Sequence, residues 1–72
     1  MNKNLFVSKM KLYGDRQEDV AEHIGLSLSR FNAKLNETDG AEFTQGEIQR
    51  IKEKYNLTDA EVVAIFFASV VS

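Results

Sequence analysis

The chain has 72 residues, room for one small domain, with nine basic residues against eleven acidic and a formal net charge of −2. It has no cysteine, no proline and only four glycines. The missing cysteine excludes disulfides, thiolate metal sites and cysteine nucleophiles, and the rest favours helix over a small β-rich scaffold. At 43% apolar and 28% charged residues the composition is that of a globular chain. The longest apolar run, Val62 to Ala68, is far short of the roughly 20 residues that span a bilayer. The first residues are polar and basic without the apolar stretch of a signal peptide. The expectation is a reduced, cytoplasmic, all-α protein with no membrane partner.

Five helices are predicted, over about residues 3–13, 16–24, 28–35, 45–54 and 59–70. The first turns Leu5, Phe6, Met10 and Tyr13 toward the core. Asp15 with Glu18 forms a loose capping box for the second, which adds Val20, Ala21 and Ile24. Ser27 caps the third, where Arg30 at the third position leaves the box open, and Leu26 with Phe31 has the spacing of a hydrophobic staple. Phe31 and Leu35 are its core positions. The longest connection, Asn36 to Phe43, carries the turn residues Thr38-Asp39-Gly40. Thr44 with Glu47 and Phe43 with Ile48 open the fourth helix, which contributes Ile48 and Ile51. Thr58 with Glu61 and Leu57 with Val62 open the fifth, and Leu57, Val62, Ile65 and Phe66 close the core. No repeat, linker or low-complexity segment interrupts this order.

The second and third helices form the most informative unit. The run Gln17 to Ser27 ends one helix at Gly25 and restarts the next at serine. Glycine accepts the left-handed backbone of a tight turn. Small Ala21 allows a close crossing, with Val20, Ile24, Leu26, Phe31 and Leu35 as the seam. That is the physical description of a helix-turn-helix.

At these residues the chain resembles the phage Cro and repressor (XRE-like) helix-turn-helix family. The resemblance rests on Gln17, Val20-Ala21, Ile24-Gly25-Leu26-Ser27, Phe31-Asn32 and Lys34-Leu35-Asn36. Phe43-Thr44 with Glu47-Ile48, and Asn56-Leu57-Thr58 with Ile65-Phe66-Phe67, are similar to the remaining helices of small phage regulators, among them antirepressors of lysis–lysogeny switches. It implies a compact five-helix, lambda-repressor-like domain. It places Gln17 against a phosphate, and Ser27, Leu28, Ser29, Arg30, Asn32 and Lys34 on the face that enters a major groove. Arg30 is the base reader, since guanidinium pairs with guanine in a bidentate way, while Lys34 and Asn36 are phosphate contacts.

Charge departs from this pattern. Between Asp15 and Asn36 the bases Arg16, Arg30 and Lys34 face the acids Asp15, Glu18, Asp19 and Glu22, and Glu37 to Glu47 adds four acids and no base. Phosphate neutralisation supplies most non-specific DNA affinity, so weak DNA binding is expected. An acidic surface at Glu18, Asp19 and Glu22, with Glu37, Asp39 and Glu42 as further candidates, suits the basic DNA-reading face of another helix-turn-helix protein. The competing reading is ordinary solvated charge at helix starts. In the last helix Val63, Phe67, Val70 and Val71 lie off the core stripe, either as an apolar interface or as a core wrapped on two sides.

Catalytic constellations are lacking. His23 is the sole histidine, Asp39-Gly40 lacks the remaining ligands of a calcium loop, and the serines have no histidine base at a suggestive spacing. Glycine-rich phosphate motifs are absent. No enzyme, cofactor or metal is expected. Two functions are: an antirepressor that binds a phage repressor, or a Cro-like dimeric repressor that reads operator DNA through the third helix.

Overall fold

Five helices account for most of the chain in the computed structural model, which describes residues 1–67. They are α1 Lys3–Leu12, α2 Gln17–His23, α3 Leu28–Leu35, α4 Gln45–Tyr55 and α5 Asp59–Phe66, with a single 3-10 turn at Thr38–Gly40 between α3 and α4. Among the described residues there is no strand. The expected all-α class and element order hold. The fifth helix, expected to residue 70, is described to Phe66, and Val70 and Val71 lie outside the described residues.

The caps explain most boundaries. Thr44 and Thr58 accept from the amides of Glu47 and Glu61, whose carboxylates accept from the threonine amides in return. Ser27 accepts from the Arg30 amide. Asn2, which the sequence reading did not use, accepts from the Leu5 amide and caps α1. The start of α2 is a correction. Its cap is Arg16, whose amide donates to Asp19 Oδ2 at 2.8 Å, so the Asp15–Glu18 box does not form. Asp15 instead accepts from the Tyr55 hydroxyl at 2.7 Å.

Buried Phe6, Phe31 and Phe43 and the flanking Phe66 meet edge to face, with ring centroids 5.5 to 6.1 Å apart. This is the arrangement that aligns the positive ring edge with the negative face. The rings come from α1, α3, α5 and the segment before α4, so one cluster ties the chain ends to its middle. Met10, Val20, Ala21, Ile24, Leu35, Ile51, Leu57 and Ile65 pack around them in the core. Two expectations change here. Tyr55, unassigned in the sequence, is buried, whereas Tyr13 is 52% exposed. The two rings lie against each other, and the Tyr13 hydroxyl donates to the Tyr55 carbonyl at 3.0 Å. Tyr13 thus covers the end of α4 from outside. Leu5, Ile48, Val62 and Phe66 are half-buried at the edge of the core.

Candidate partner and nucleic-acid surface

The turn between α2 and α3 has a closed hydrogen-bond pattern. Gly25, at φ +79°, donates to the Glu22 carbonyl, and Leu26 donates to the Ala21 carbonyl at 2.8 Å. This pair of bonds is the Schellman ending, which satisfies carbonyls that the helix leaves free. Arg50 of α4 adds a third contact, its Nη1 donating to the Ile24 carbonyl at 3.1 Å. The positive guanidinium sits where the helix dipole is negative.

The face of α3 follows from its periodicity. Phe31 and Leu35 are fully buried, which leaves Ser29 and Arg30 on the exposed side. Leu28 is 43% exposed, Asn32 is half-buried, and Ser27 is occupied as the cap. Gln17, the first residue of α2, is half-buried.

Lys34 does not share this surface. Its ammonium contacts both Glu47 oxygens, at 2.7 and 2.9 Å, and the two side chains are only 13% and 12% exposed. Burial opposes ionisation of Glu47, but the Lys34 ammonium and the Thr44 amide outweigh it and hold the carboxyl below its ordinary value. Lys34 is thus a strut between α3 and α4, and its ammonium is engaged by Glu47 where the sequence reading expected a phosphate contact. Asn36, the other expected phosphate contact, donates to the Asn32 carbonyl and accepts from Lys3.

Arg16, 76% exposed, makes a surface pairing instead, lying 2.9 Å from Glu18 and 3.6 Å from Asp19. The three basic residues between Asp15 and Asn36 thus leave Arg30 as the one without a carboxylate partner among the described residues. The same pairings reshape the acidic candidates. Glu18 stays 51% exposed beside Arg16, and Asp19 serves the α2 cap. Glu22 is exposed with no cation against it among the described residues. Glu37 pairs with the Met1 amine, while Asp39 and Glu42 are exposed.

The apolar candidates form a separate surface. Val63 and Phe67 are 55% and 59% exposed and line a groove between α4 and α5 with Ile48 and Val62, rimmed by Gln45, Gln49 and the Lys52–Asp59 pair. No α2 residue lines this groove. The α2 acids and the apolar candidates therefore do not share this groove, whereas Glu37 and Glu42 line a neighbouring cavity together with Phe67.

Sequence reasoning missed Arg50, Lys54 and Tyr55. Tyr55 follows Ile48 and Ile51 at helical spacing, and that stripe was the available signal. No local pattern marks Arg50, because its partner is a backbone carbonyl 26 residues away. His23 is exposed at the end of α2, and among the described residues no group of three or more His, Asp or Glu side chains is placed to hold a metal. No described helix is long and apolar enough to cross a membrane. No protein-family model, curated protein or solved structure matches the chain.

Proposed function

We propose that this chain is a phage genetic-switch regulator acting as an antirepressor, which binds the cognate lysogenic repressor and alters its operator binding. The observation that carries the reading is the commitment of cations around the helix-turn-helix. Arg16 is paired with Glu18 and Asp19, and Lys34 with Glu47, so that Arg30 is left as the free cation of this unit. One cation neutralises too little phosphate for tight DNA binding. The segment from Asp15 to Asn36 carries one more acid than base and leaves Glu22 exposed without a cation among the described residues, which suits the basic face of a second helix-turn-helix protein. The resemblance to phage regulators supports the partner class, and the Val63–Phe67 groove supplies a second, apolar contact surface. The host cytoplasm is the compartment this reading requires.

The test is a binding titration against the purified repressor of the same switch. Glu18→Lys combined with Glu22→Lys, and separately Phe67→Ala, are expected to weaken binding by on the order of tenfold. Asp19 is left intact because it caps α2. Circular dichroism checks the fold of each variant. Unchanged affinity in all of them refutes both surfaces. A second reading, a Cro-like dimeric repressor of operator DNA, is favoured by the exposure of Arg30 and Ser29 on α3. Under it, Arg30→Ala weakens the preferred site by about 1–3 kcal/mol and relaxes its sequence preference.

A further inference from the structure

Helix α2 has only seven residues, well below the roughly 12–15 at which an isolated helix begins to persist in water. Its position must come from its surroundings. Val20 and Ala21 supply the buried face, the Asp15 amide donates to the Met10 carbonyl of α1, and the side-chain hydrogen bonds that reach both ends from elsewhere in the chain come from one element. At the C-terminal end Arg50 Nη1 donates to the Ile24 carbonyl at 3.1 Å. At the N-terminal approach the Tyr55 hydroxyl donates to Asp15 Oδ2 at 2.7 Å, and Lys54 Nζ lies 3.3 Å from the same oxygen. Residues 50 and 55 are about 7.5 Å apart along α4, and α2 is about 10 Å long, at 1.5 Å per residue. The contacts themselves fall on Asp15 and Ile24, which flank α2 on either side.

We infer that α4 is a two-point clamp on α2, with Arg50 on its C-terminal turn and Tyr55 with Lys54 on its N-terminal approach, so that α2 and the surface it carries open as one unit. Arg50 and Tyr55 are then positioning residues. Through the Ile24 carbonyl and the Asp15 carboxylate they settle the orientation of α2 before binding and reduce the ordering that binding itself must impose. The identity of what that surface binds rests on the function proposed above; the clamp does not.

Native-state amide exchange on the free protein separates the clamp from two independent pins. Tyr55→Phe removes the bond to Asp15, and Arg50→Met removes the bond to Ile24 while keeping an apolar stem. Each is expected to raise exchange by about fivefold across all of α2, the loss expected for one hydrogen bond. The informative amides are the remote ones: Gly25 and Leu26 for Tyr55→Phe, and Asp19 and Val20 for Arg50→Met. The Phe6 amide of α1 serves as the reference. A rise confined to the near end overturns the clamp, as does an equal rise in α1, the signature of plain destabilisation. If Tyr55→Phe fails to fold, the more peripheral Lys54→Met makes the same N-terminal measurement. No partner enters the experiment, so its failure is distinct from failure of the antirepressor reading.

Discussion

Replacing Lys34 by methionine separates a strut from a phosphate contact. The substitution keeps the apolar stem and removes the ammonium, leaving Glu47 with the Thr44 amide as its remaining strong donor. Breaking a fully buried pair costs about 3–5 kcal/mol, and an exposed pair is worth about 0–1. Exposures of 13% and 12% place this pair toward the buried limit, and the retained Thr44 bond moderates the loss. The expected destabilisation is about 1.5–2.5 kcal/mol, intermediate between those limits. A chain of 72 residues has roughly 4–11 kcal/mol in total, at 0.05–0.15 per residue, so the variant still folds. Urea unfolding followed by far-ultraviolet circular dichroism at pH 7 measures the difference. The cycle with Glu47→Gln should return a coupling of about 1 kcal/mol. A change under about 0.5 kcal/mol accompanied by lost DNA affinity refutes the strut and restores Lys34 as a phosphate contact.

Acid should expose the same pair. The Glu47 carboxyl is held below its ordinary value of 4.5 in the fold, so its stabilisation is present above about pH 4.5 and is lost as pH falls through the lower folded-state value. The melting temperature of the wild type should therefore fall in that window more steeply than that of Glu47→Gln, and parallel curves would remove Glu47 as a source of acid sensitivity. Gly25→Ala tests the turn: the new Cβ would stand 3.7 Å from Arg50 Nη1, an ordinary contact, so the cost is that of φ +79° alone. A loss of about 1–2 kcal/mol in urea unfolding is expected, and a neutral result would mean the turn relaxes to another backbone. Thr58→Ala removes the reciprocal cap of α5 and should cost about 1 kcal/mol by the same assay, with no loss contradicting the cap's contribution.

Local signals proved legible where one or two neighbouring side chains decide the outcome. The threonine–glutamate boxes, Ser27 and the Gly25 turn required only short spacing, and all formed. The start of α2 was misplaced because Asp15 resembles a cap in sequence, yet Tyr55, 40 residues away, takes its carboxylate. Lys34 shows the same limit at the surface. Its position on α3 suggested a groove contact, and only the packing of α4 brings Glu47 within reach. The net charge of the motif could be read directly, whereas the pairing that leaves Arg30 as its free cation depends on tertiary contacts for Lys34 and on the actual α2 cap for Arg16. The helical wheel set Val63 and Phe67 off the core stripe but left open whether the core wrapped around them; their exposure, and the absence of α2 residues from their groove, came only with the packing.

The central claim is that the helix-turn-helix surface is poor at holding phosphate, and a fluorescence anisotropy titration on the DNA upstream of its own gene tests it most directly. Measured across several salt concentrations, log affinity falls by about 0.9 per phosphate neutralised on B-DNA. With Arg30 as the free cation of this unit, the account predicts weak binding with a slope near −1. Tight, sequence-selective binding with a slope of about −3 or steeper would contradict it, because that many phosphate contacts need cations beyond Arg30, and the others of this unit, Arg16 and Lys34, lie against carboxylates.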